Sequence, residues 1–306
     1  MKQIQFIIDE SGAKGYSDNT EAVPGELGVM AGFLIPEEFV ATVQAELGTI
    51  SSKFRSQTKL HVTDLVLQDQ EALRSAIFDY FRVRGIPWVY EGIYVQGFHE
   101  HMQLVNGIAT EAMGSRRSRI KLSYTQKAKL LHAELFVGAF GKGIAFAMDC
   151  VGNEFQLNIV TDRVDRELMK LFRTKADRLL NAEQPLSRKV TGFDPDTQKV
   201  VRGEIRTTLV SGHEALGDLS GVNYSIRCAD SSLTLAADVL ANSVYHHLRT
   251  KQSGVVGTAL NAEAAVMGHP LADLVYGAWN APEGNYFSDA LFMHPESVSK
   301  LGDGRT

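Results

Sequence analysis

Apolar and polar positions alternate from residue 3 onward, with Ile4, Phe6 and Ile8 on one face and Gln3, Gln5, Ile7 and Asp9 on the other. A period-2 run of β-prone residues marks a strand, and a small turn-forming pair after it marks a sharp turn. A strand is therefore predicted over 4–8, ending at Asp9-Glu10-Ser11-Gly12. The continuous apolar run 28–35 predicts a second strand, and Pro36 followed by Glu37 and Glu38 predicts a helix to about residue 47 with the proline at its first position. Further along, the patterning predicts a helix over 69–84 and a strand over 88–95. A long apolar-striped helix is predicted over 123–149, with Gly138, Gly141 and Gly143 as potential breaks.

The stretch FQLNIVT (155–161) predicts a strand stopping at Asp162, and a helix opens at Asp165 or Arg166 and runs to about residue 180. From 181 to 206 the chain turns polar and rich in Pro, Gly and Asp, which marks a surface insertion with hairpin character. Residues 233–248 carry a strong helical pattern, and a helix-like piece near 271–279 follows a Gly- and Ala-rich stretch. Strands alternating with helices predict one α/β domain with elaborations. No internal repeat or low-complexity tract interrupts it.

Against that pattern three carboxylates stand where charge is expensive. Asp9 and Asp162 end apolar strands, and Asp238 lies inside a helix among Ala236, Ala237, Val239, Leu240 and Ala241. An ionised carboxylate in such surroundings needs a hydrogen-bond donor, a basic partner or a cation. At helical spacing the Asp238 face also carries Ser231, Thr234, Leu235, Asn242 and Tyr245, groups small or polar enough to let the helix approach the strand ends. Hard oxygen ligands with few histidines or thiolates point to Mg²⁺ or Mn²⁺ rather than zinc. The alternatives are structural: Asp9 capping a turn, Asp162 capping the next helix, and Asp238 paired with a buried arginine such as Arg227.

Composition narrows the setting. The chain has 306 residues, 44% hydrophobic and 22% charged, with a formal net charge of −5. Its overall field does not attract nucleic acid, so a polyanion would need a local basic patch or bound metal ions. The sharpest basic cluster is Arg116, Arg117, Arg119 and Lys121, followed by Tyr124, Lys127 and Lys129. It reads either as a phosphate-holding surface or as a solvated loop and helix start. Cys150 and Cys228 are the only cysteines, too few for a disulfide framework or thiolate zinc site, and with a short N-terminal apolar run they suggest a cytoplasmic protein without a membrane anchor. His99-Glu100-His101 lacks a third ligand nearby. There is no G-x-S-x-G elbow, Walker A motif or G-x-G-x-x-G fingerprint. Glu91, in the strand predicted over 88–95, is either a fourth carboxylate or a solvent-facing residue.

The opening FIIDESG, the central QLNIVTDRVDR and the late CADSSLTLAADVLANSVYHHL together resemble the bacterial family known as domain of unknown function 3800. The resemblance implies a ribonuclease-H-like α/β fold: a mixed sheet flanked by helices, over residues 1–250, with the insertion near 181–206 and a C-terminal extension over 251–306 packed on it. Asp9 and Glu10 fall on the family's opening acidic pair, Asp162 on its strand-end Asp, and Asp230 and Asp238 on the acids around its last helix. Many members carry Glu-x-His where this chain has Lys59-Leu60-His61, so His61 lacks the acid that usually accompanies it. Catalytic ribonuclease-H-like proteins bind two divalent ions between such carboxylates, and ions about 3.5–4 Å apart activate water and stabilise the departing oxygen in phosphodiester cleavage.

The leading expectation is a metal-dependent nuclease acting on RNA or DNA. Asp9, Asp162 and Asp238 hold Mg²⁺ or Mn²⁺, Glu10 and Asp230 serve as lesser ligands or orienters, and Arg116, Arg117, Arg119 and Lys121 contact the nucleic-acid backbone. Two rivals share the fold: a non-catalytic binding or scaffold protein, and a hydrolase of free nucleotides.

Overall fold

In a computed structural model the described residues are 1–13, 22–23, 25–54, 60–100, 102–103, 121–122, 127–181, 186–194, 198–207, 219–254 and 265–276. Eight strands are present among them: β1 (Lys2–Gly12), β2 (Leu27–Pro36), β3 (Trp88–Tyr94), β4 (Lys121–Leu122), β5 (Phe155–Thr161), β6 (Leu186–Asp194), β7 (Lys199–Thr207) and β8 (Val222–Cys228). The principal helices are α1 (Glu37–Ser51), α2 (Leu67–Arg84), α3 (Lys127–Val151), α4 (Arg166–Leu180) and α5 (Ser232–Gly254).

Five strands form one mixed sheet in the order β3-β2-β1-β5-β8. β2 runs antiparallel to both its neighbours, β1 and β3, whereas β5 runs parallel to β1 and β8 parallel to β5. The apolar β1 is therefore the middle strand, buried on both faces, as its near-continuous hydrophobic run requires. Its alternation sorts the core. Ile4, Phe6 and Ile8 pack with α3 and α4 on one side, while Ile7 packs with α1, α2 and α5 on the other. β6 and β7 form the expected hairpin in the polar insertion and, with β4, make a second, three-stranded sheet.

Several boundaries differ from the sequence pattern for identifiable reasons. β1 does not stop at residue 8, because pairing with β2 continues through Asp9↔Ala31 and Glu10↔Met30 to Gly12↔Gly28. Pro36 is the cap before α1, not its first residue, with extended ψ of 141°. α3 runs unbroken through its glycines, two of which are sites of close packing: a Cβ at Gly138 would stand 2.3 Å from Glu91 Oε2, and one at Gly143 3.0 Å from the Phe6 ring. The Lys129–Val151 stretch of this helix is long and apolar enough to cross a membrane, and it is packed into the core through Leu131, Leu135, Phe136, Phe140 and Ile144.

The helix-like piece near 271–279 is only a 3₁₀ turn at Ala272–Leu274, and residues 277–279 lie outside the described set. Its backbone groups are engaged elsewhere: the Trp88 indole N–H donates to the Leu271 carbonyl (2.7 Å), and the Tyr276 N–H donates to the Trp88 carbonyl (2.8 Å). Val266 and Leu271 are buried against the core on the α5 side, so 265–276 packs on the domain.

Candidate functional site

Strand parity decides where the carboxylates go. Side chains two apart on a strand share a face, so Asp9 follows Ile7 and Asp162 follows Val160 onto the side covered by α5. In the parallel register Ile8 pairs with Thr161, which sets Asp9 and Asp162 one residue beyond the same rung of adjacent strands. α5 starts beside them with a reciprocal cap: Ser231 Oγ accepts from the Thr234 N–H at 3.3 Å, and Thr234 Oγ1 accepts from the Ser231 N–H at 3.0 Å. Fully buried Ala236, Ala237 and Ala241 let the helix lie close to the sheet, and Asp238 faces the strand ends.

The result is one cleft of about 410 Å³ lined by Asp9, Glu10, Asp162 and Asp238 together with His61, Thr63, Arg163 and Asn242. Gly12 is needed where β1 enters it: its φ is +79°, and a Cβ would lie 2.3 Å from the Leu27 carbonyl and 2.5 Å from the Tyr245 ring. A narrow recess of about 10 Å³, the size of one water, adjoins the cleft between His61, Asp162, Asp230 and Asp238. Asp230 is exposed at its edge.

The electrostatics are those of crowded acids. Burial holds the Asp9 carboxyl well above the usual carboxylate range, and the neighbouring charges of Glu10 and Asp238 push it further the same way. Asp238 is also raised, by burial first, with Asp162 and Glu10 adding repulsion; the Val62 N–H, donating to its Oδ2 at 2.8 Å, and His61 act in the opposite direction. Asp9 Oδ1 accepts the Glu10 N–H at 2.9 Å, and the structural alternatives for Asp162 and Asp238 are not what is found. Asp165, not Asp162, caps α4, accepting from the Glu167 and Leu168 N–H groups at 2.9 Å each. Asp238 meets a backbone N–H and a histidine, and Arg227 is exposed on the edge strand β8.

Two histidines complete the site. His61 lies with Nδ1 3.6 Å from Asp238 Oδ2 and Nε2 3.9 Å from Asp162 Oδ2. Its position in Lys59-Leu60-His61 was the one sequence signal for it, although the acid is missing. His132 on α3 was not foreseen. Glu10, one residue after Asp9, turns toward the α3 side of the sheet, and buried His132 sets its Nε2 3.6 Å from Glu10 Oε2 while its ring packs edge-on to Phe172. No local pattern marks a histidine inside an apolar helix as a partner of a distant strand end.

Other candidates lie elsewhere. Glu91 is neither a site carboxylate nor solvent-facing: it is 1% exposed and ion-paired with buried Lys142 at 3.0 Å. Lys129 is committed to Asp165 and Glu167, at 2.9 Å from each. Arg116, Arg117 and Arg119 lie outside the described residues, as does Tyr124, and Lys121 is described only as backbone in β4, paired with Phe193. His99 sits on a helical run and meets Gln103, while His101 lies outside the described residues. Both cysteines are free and exposed.

Among the described residues no three acidic, histidine or cysteine side chains are drawn together tightly enough to chelate one ion as they stand. The donor set nonetheless fits a divalent cation in its chemistry. Four carboxylates line one cleft, and Asp9 and Asp238 are held above the usual carboxylate range by burial first and by neighbouring acids second, a repulsion that a positive ion would offset. No family model matches this chain, and no curated protein matches it.

Proposed function

We propose that the protein is a divalent-metal-dependent phosphodiesterase acting on RNA or DNA, built on a ribonuclease-H-like sheet of the domain of unknown function 3800 type. The observation that carries this reading is the placement of Asp9 and Asp162 one residue past the last rung of the parallel β1–β5 pairing, with Asp238 of α5 lining the same cleft. The sheet supports it, with β3, β2 and β1 joined by antiparallel pairing and β5 and β8 following in parallel beyond β1. Asp9, Asp162 and Asp238 would hold Mg²⁺ or Mn²⁺, with Asp230 at the edge of the recess. A divalent ion there supplies Lewis acidity and a water nucleophile at neutral pH. The chain's own contribution is to hold the carboxylates in register: β1–β5 pairing sets Asp9 beside Asp162, the Val62 N–H and His61 orient Asp238, and His132 stands behind Glu10.

The test is cleavage of labelled RNA, DNA and RNA–DNA hybrid with Mg²⁺ or Mn²⁺. Wild type is expected to cut at least one polymer, and Asp9→Asn and Asp238→Asn to abolish cutting. Intact polymers under every condition overturn the proposal. A non-catalytic scaffold is the second reading, favoured by the spacing of the donors, which stop short of a chelating set. It forecasts no cleavage in any protein.

A further inference from the structure

Asn242 lies one helical turn beyond Asp238 on α5, so the two side chains share a face about 5–6 Å apart at their Cβ atoms. It is only 7% exposed, yet it lines the acidic cleft. Its orientation is set by Arg74 of α2, whose Nη2 donates to Asn242 Oδ1 at 3.2 Å. A guanidinium can only donate, so the carbonyl end of the amide must face Arg74 and the two N–H groups of Nδ2 face away from it. Among the described residues those N–H groups meet no acceptor. A second donor lines the same cleft. Arg163, directly after Asp162, is exposed, and among the described residues its guanidinium meets no carboxylate.

A cleft whose carboxylates repel anions, but which carries a buried amide donor and a guanidinium that meets no carboxylate among the described residues, is suited to a ligand that is anionic beside the group the proposed metal would hold. We infer that Asn242, oriented by Arg74, and Arg163 form a subsite for a phosphate of the substrate strand next to the scissile one. This rests on the phosphodiesterase reading. The amide gives a neutral hydrogen bond to a phosphate oxygen, and the guanidinium gives a charged one in its planar fork. Arg74 is a positioning residue: it keeps the amide from turning its oxygen to the strand.

The two contacts differ in a measurable way. Neutralising a phosphate releases counterions, whereas a neutral amide bond does not. The experiment is equilibrium binding of labelled RNA and DNA strands to the full chain over a range of salt concentrations, with polymer cleavage followed separately. Arg163→Ala is expected to reduce the log–log salt slope by about 0.7–0.9. Asn242→Ala is expected to weaken binding roughly two- to twelvefold at all salts with the slope unchanged. Asn242→Asp should weaken it further, and a thermal melt of each variant separates misfolding from lost contact. Arg163→Ala, at an exposed position, keeps the test decisive should the Asn242 variants fail to fold. Both variants binding as wild type does, or wild type binding neither polymer, overturns the subsite. Cleavage with unaltered binding in the variants sinks the subsite and spares the phosphodiesterase reading. Binding that depends on Arg163 and Asn242 without any cleavage does the reverse.

Discussion

Asp238→Asn separates a metal carboxylate from a structural one. In the folded protein Asp238 is desolvated and repelled by Asp162 and Glu10, and these effects outweigh the help it receives from the Val62 N–H and His61, since its pKa is displaced upward. The ionised form is thus a net burden on the fold at neutral pH. Asparagine keeps an oxygen for the Val62 N–H, but it exchanges a charge-assisted bond for a neutral one at a cost of about 1 kcal/mol. Relief of burial and repulsion exceeds that, so the variant is expected to be as stable as wild type or more stable, by up to about 2 kcal/mol. The pH dependence follows from the direction of the shift. A carboxyl whose folded pKa is raised contributes stability that is complete below its unfolded value, about 3.9, and is lost as pH rises through the folded value. The variant's advantage should therefore be present at neutral pH and vanish below about pH 4, where both side chains are neutral. Urea melts of the two proteins at both ends of that window measure it. A loss of about 3 kcal/mol or more at neutral pH would mean that Asp238 compensates a buried cation, and the reasoning would be wrong.

Millimolar Mg²⁺ or Mn²⁺ should raise the melting temperature of wild type but not of Asp9→Asn; at tenfold over Kd the stabilisation is about 1.4 kcal/mol, and an equal shift in both proteins removes Asp9 from the site. Lys142→Met leaves buried Glu91 without its cation and should cost about 3–5 kcal/mol in a denaturant melt, while Lys142→Met with Glu91→Leu should recover most of it. Gly138→Ala improves helix propensity, yet its methyl would meet Glu91 Oε2, so a net loss of about 1–3 kcal/mol is expected. His269 is pushed down to about 3, by burial first, and its Nδ1 accepts the Leu271 N–H, so stability should fall as pH drops from about 6.5 toward that value, opposite in sign to the Asp238 effect. His269→Gln should flatten this slope in pH-dependent melts.

The acidic site was legible in the sequence because it breaks local patterns. Asp9, Asp162 and Asp238 each interrupt an apolar run, and strand parity carries the first two to the side where α5 lies. What the patterns lacked was any signal for pairs formed across the chain. Glu10 and His132 meet only because α3 covers the opposite face of β1. Glu91 and Lys142 meet only because Gly138 leaves room. β8 escaped notice for a different reason. As an edge strand it buries only Val222 and Ile226 and exposes Asn223, Ser225 and Arg227, a pattern with too little apolar content to stand out. The same edge position explains why Arg227 is no partner for Asp238. A fold that keeps several carboxylates crowded and desolvated retains a standing cost in stability, a cost that the divalent cation of the proposed function would offset.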